Sequence, residues 1–131
     1  DMEKTLAQRR LDFLNETVEF YKHNYRSVQP GPNGRCWYKG PNGAKCAVGR
    51  HIPNDEYKPE MEGKSVYSVL KEFPFCLPKE ITDLGADFLS AVQSLHDVDG
   101  NWNQSNEKEK DLSPEGEGLV ASIIRRYCLT F

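Results

Sequence analysis

Nowhere in this 131-residue chain do apolar residues run uninterrupted for the ~18 positions that a helical membrane span requires. The N-terminus is charged and helical in pattern, unlike a secretion signal, and Met2 behind Asp1 is the expected native start. A soluble protein is the expectation. The sequence also lacks the patterns that assemble a catalytic centre: there is no Gly-x-Ser-x-Gly elbow, no Walker loop, no His-Glu-x-x-His pair and no cysteine at a helix start. His96-Asp97, and His51 with Asp55, are neighbours that match no nucleophile arrangement. His96 has a structural explanation instead, because a cation near a helix C-terminus complements the helix dipole.

Cysteine is scarce and irregular. Cys36, Cys46, Cys76 and Cys128 follow no disulfide framework, so free thiols in a reducing cytosol are expected, and locality recommends only a Cys36–Cys46 bridge. A metal site could draw on Cys36, Cys46 and His51, completed by Cys76 or His23, but C-x9-C-x4-H lacks the close cysteine pair of a zinc knuckle. Asp97–Asn103 places oxygens where a calcium loop begins, yet Trp102 stands where the loop needs glycine and Lys108 where it needs glutamate. No cofactor or metal is expected.

Acidic residues are missing from Phe20 to Asn54. That stretch holds Lys22, Arg26, Arg35, Lys39, Lys45 and Arg50, with His23 and His51, while the whole chain carries a net charge of -3. The overall sign disfavours nucleic acid as a partner, and the local excess marks a basic surface.

Against these absences, apolar periodicity is clear. Ala7, Leu11, Leu14, Val18, Tyr21 and Tyr25 form one stripe, widened by Leu6, Phe13 and Phe20, and predict a helix over about 3–25 that could pack on its own domain or on a second copy in a homo-oligomer. Further helices are expected over about 65–73 and 78–96, the latter with Ile81, Leu84, Phe88, Val92 and Leu95 on one face. Ser113-Pro114-Glu115 starts a last one over about 114–128. Residues 2–131 fit a single domain.

Between the first two helices the sequence repeats a turn. Gly31-Pro32-Asn33-Gly34 leads to Cys36, and Gly40-Pro41-Asn42-Gly43 leads to Cys46. Asn-Gly supplies the positive φ that tight hairpins need, so a β-hairpin is expected over about 35–52. The predicted fold class is therefore α+β, one β-hairpin packed among about four helices. Trp37, Tyr38, Tyr21 and Tyr25 lie among these cations, and rings beside cations suit a base plus a phosphate; Arg35, Trp37, Tyr38, Lys39, Lys45, Arg50 and His51 are the candidate ligand-binding residues. Buried aromatics with solvated cations would explain the same composition.

Two stretches resemble a family of small uncharacterised proteins from tailed phages and prophages. The first is Arg35-Cys36-Trp37-Tyr38, Pro41–Gly49, Ile52-Pro53, Tyr57 and Pro59–Gly63; the second is Leu89–Asp97. The resemblance implies a phage accessory protein in the host cytoplasm and carries over no catalytic residue. By analogy of genomic class it suggests counter-defence: a non-enzymatic protein that binds a phosphate-bearing ligand such as a nucleotide signal. The alternatives are an inhibitor docking on a host immune protein by protein–protein contact, and a small metal-dependent enzyme.

Overall fold

The computed structural model describes residues 4–28, 37–40, 43–104 and 107–129. Helix α1 (Leu6–Lys22) begins where Thr5 accepts the Gln8 N–H at 3.1 Å. It buries Leu14, Val18 and Tyr21. It stops short of Tyr25 because Asn24 turns its amide back onto the Phe20 carbonyl at 2.8 Å, where the His23 N–H also binds at 3.2 Å.

Helix α2 (Val66–Glu72) is capped by Ser65, which accepts the Ser68 N–H at 3.1 Å, and ends ahead of Pro74. The helix expected over 78–96 is two helices, α3 (Lys79–Thr82) and α4 (Ala86–Asp97). Gly85 separates them with φ 95°, a conformation suited to glycine. Arg10 then donates to the carbonyl of Leu84 at 2.8 Å. Helix α5 (Pro114–Tyr127) starts at Ser113, whose hydroxyl accepts the Gly116 N–H at 3.1 Å, with Pro114 at the first position.

Helix α4 is the centre of the fold. It packs against α1, α2 and α5, and its Phe88, Leu89, Val92 and Leu95 are buried. The rest of the core comes from a segment with almost no regular structure: Cys46, Ala47, Val48, Ile52 and Met61 are buried, although 43–64 contains only the 3-10 turns Gly49–His51 and Pro59–Met61. Among the described residues no helix is long and apolar enough to cross a membrane.

The expected β-hairpin and α+β class are overturned. Among the described residues the architecture is all-helical, and the only trace of pairing over 35–52 is one isolated antiparallel bridge between Lys39 and Lys45. The turn chemistry itself operates: Gly43 has φ 79°, and Gly40 donates to the Ala44 carbonyl at 2.6 Å. What is missing is the ladder, because its donors are spent elsewhere. Tyr38 and Lys39 give their N–H groups to the Glu62 carboxylate at 2.8 and 3.1 Å, and Val48 gives its own to Gln93 Oε1 at 3.0 Å. Cys46 through Gly49 are buried in succession, where a strand would alternate. The Arg50 N–H returns to the Cys46 carbonyl at 3.0 Å, which starts a helical turn. The first glycine turn, at 31–34, lies outside the described residues.

The calcium-like segment closes α4. Asn101 and the Trp102 indole both donate to the Leu95 carbonyl, at 3.2 and 3.0 Å, and Arg26 donates to the His96 carbonyl at 2.7 Å. These satisfy carbonyls that a helix end leaves without partners. The polar segment that follows is anchored too, since Lys110 is buried and its ammonium donates to the Asn24 carbonyl at 2.6 Å.

Candidate functional site

The residues expected to share one basic face are separated. Arg35 lies outside the described residues. Trp37 is half-buried, its N–H on the Ser27 carbonyl at 3.0 Å. Tyr38 is only 5% exposed, with its hydroxyl on the Lys64 carbonyl at 2.6 Å, so its ring belongs to the core and offers no stacking face. Lys39 extends to Asn54 Oδ1 at 2.7 Å. His51 lies against Phe13, with ring centroids 5.1 Å apart.

Lys45 and Arg50 do come together. With Phe20, Asn24, Tyr25, Gly43 and Ala44 they line a groove of about 410 Å³. One wall is Phe20 near the end of α1 with Asn24 and Tyr25 beyond it; the other is the glycine turn. The Tyr21 hydroxyl donates to the Lys45 carbonyl and ties the walls together. Tyr25, placed past the helix end, leaves 57% of its surface exposed beside the groove. Asn24 gives one amide N–H to the Phe20 carbonyl and keeps its oxygen as an acceptor.

The two cations differ. The Arg50 guanidinium holds both oxygens of Glu16, with Nη1 to Oε2 at 3.0 Å, touches the Thr17 hydroxyl at 3.3 Å and lies over the Phe20 ring at 4.5 Å. The Lys45 ammonium makes no ion pair among the described residues. An acid-free stretch of sequence is thus not an acid-free surface: Glu16 and Asp99 come from outside it to meet Arg50 and Arg26. Only the fold could supply that neutralisation.

A second polar cavity, about 460 Å³, lies between α4 and the 63–66 turn, with Tyr38, Cys46, Ser65, Gln93 and Asp97 on its walls. The Cys46 sulfur accepts the Gly49 N–H at 3.2 Å, and burial pushes its thiol up to about 12, far from a nucleophilic thiolate. Beside it His96 is 1% exposed. Its Nε2 accepts the Ser27 N–H at 3.1 Å, which places the ring proton on Nδ1, directed at Asp97 Oδ1 at 2.9 Å. Burial holds this imidazole below its usual range, so His96 is a neutral connector rather than the dipole-complementing cation expected. Cys46, Cys76 and Cys128 are free thiols, and among the described residues no group of three or more His, Cys, Asp and Glu side chains could hold a metal. Cys36, on which both the bridge and the metal reading turn, lies outside the described residues.

Two histidines give the fold an acid-sensitive limb. Burial and then the Arg50 charge lower His51 to about 4, and its Nε2 is buried with no hydrogen-bond partner. His96 is shifted in the same direction. A lowered imidazole binds its proton more readily in the unfolded chain, so stability is complete above about 6.5 and is lost as pH falls toward about 4. For half-buried His51 the loss is of order 2–3 kcal/mol. Exposed His23 moves upward through its hydrogen bonds to Glu109 and Glu19 and opposes the trend. His51→Leu is expected to flatten the limb, leaving the His96 part, and to keep neutral-pH stability within about 1 kcal/mol of wild type in urea unfolding. An unchanged acid limb would exclude His51 as its source.

No protein-family model, no curated protein and no solved structure matches the chain.

Proposed function

We propose that this is a non-enzymatic binding protein of phage origin, acting in the host cytoplasm, that takes a phosphate-bearing ligand such as a nucleotide signal in the groove between the end of α1 and the glycine turn. The observation that carries the reading is that Lys45, whose ammonium makes no ion pair among the described residues, and the exposed Tyr25 line the same groove. A cation next to an aromatic face suits an anionic group attached to a planar ring. The site thereby moves from the face expected in the sequence to Lys45, Arg50, Tyr25 and Asn24. Phage origin and location rest on the sequence resemblance.

Calorimetric titration of a nucleotide panel at low salt tests the proposal. Binding is expected to weaken as salt rises, and by about tenfold in each of Lys45→Ala and Tyr25→Ala. Absence of heat with every nucleotide, or full affinity in Lys45→Ala, would overturn it.

A further inference from the structure

The groove's charge limits what it can accept. Among the described residues its lining holds two cations, but the terminal nitrogens of Arg50 are engaged: Glu16 takes one contact from each, Thr17 takes a second from Nη2, and the guanidinium lies over the Phe20 ring, while its Nε is buried without a partner. A bidentate carboxylate occupies the same planar fork that a phosphate would use. Among the described residues of the lining one charge without an ion pair is left, on Lys45. Another polar side chain among the described residues of the lining is Asn24, whose amide gives one N–H to Phe20 and keeps its oxygen as an acceptor suited to an N–H donor on a base. At about 410 Å³ the groove has room for one ring system with one anionic group.

From this we infer that Glu16 is a specificity-determining residue, and that by occupying Arg50 it sets the groove for a singly charged ligand, a phosphodiester attached to a base bearing an N–H donor, over polyphosphates. The inference rests on the groove being the binding site. Glu16 touches no ligand itself; it acts by withholding Arg50. Half of its side chain is solvent-exposed, 52%, and it packs no core position, so a variant at this position is expected to fold.

The test compares adenosine 3′,5′-cyclic monophosphate, which carries a phosphodiester, with adenosine 5′-monophosphate and adenosine 5′-triphosphate by calorimetry. In wild type the cyclic nucleotide is expected to bind at least as tightly as the triphosphate. Glu16→Gln releases Arg50 and is expected to move the ratio toward the triphosphate by about tenfold, the effect of one added charged contact. Glu16→Asp keeps the charge balance and is expected to keep the wild-type ranking, which separates an electrostatic role from a structural one. A triphosphate already tenfold tighter in wild type, or a ranking unchanged in folded Glu16→Gln, would overturn the inference while leaving the groove as the site. If none of the three nucleotides binds, the proposed function falls and the inference falls with it.

Discussion

Gly49→Ala is expected to cost about 3 kcal/mol or more of folding stability. A Cβ at Gly49 would sit 2.0 Å from the Tyr38 carbonyl oxygen and 2.6 Å from the Tyr38 Cα. Backbone atoms cannot rotate away as a side chain would, so the two segments must separate. Gly49 has no left-handed φ, and the penalty is steric, not conformational. The separation would pull on the Tyr38 and Lys39 amides held by Glu62 and on the turn that aims Arg50, so ligand binding should fail with stability. Urea unfolding measures the loss. Gly118→Ala is the control: nothing lies within 4 Å of its added Cβ, and in mid-helix it is expected to stabilise by up to about 1 kcal/mol. Equal effects at the two sites would contradict the close approach at Gly49.

The second large effect concerns Arg26. Its side chain is 2% exposed, donates to the His96 carbonyl at 2.7 Å and pairs with Asp99. Arg26→Met keeps the stem but leaves that carbonyl without its donor at the end of α4. A loss of about 2–4 kcal/mol is expected. Asn24 and Tyr25 immediately precede Arg26, so nucleotide affinity should drop as well, even below the temperature at which the variant unfolds. A stability within about 1 kcal/mol of wild type would show that the α4 end is secured by its other donors alone.

The helices were legible because a packed helix advertises itself in period and cap. Thr5, Ser65 and Ser113 each stand one residue ahead of a helix and accept its early N–H groups. The interruption at Gly85 was hidden because Ile81, Leu84 and Phe88 keep helical spacing across it. The hairpin failed for a different reason. Asn-Gly specifies a tight reversal, and the hydrogen bonds of Gly40 to Ala44 and of Gly43 to Gly40 close one, but a turn does not oblige its arms to pair. Here the partners of the arms are Glu62 and Gln93, distant in sequence and invisible to local patterning. The groove was half legible: the acid-free stretch pointed to Lys45 and Arg50 and holds Tyr25 among its rings, but Tyr25 also fitted a helical stripe whose end it lies beyond. Asn24, a residue that readily folds back onto the preceding turn, was the available sign that α1 stops there.

The Glu62 carboxylate holds two consecutive amides of the 37–40 segment and also accepts the Tyr57 hydroxyl at 2.6 Å. A ladder fixes register over many residues, so that adding or removing one residue inverts every side chain beyond it. A carboxylate seats two amides without imposing a strand-long register. The 37–40 segment is thus positioned by separate contacts, Glu62 on two amides, the Ser27 carbonyl on Trp37 and the Lys64 carbonyl on the Tyr38 hydroxyl, and its side chains need not alternate between two faces as those of a strand must.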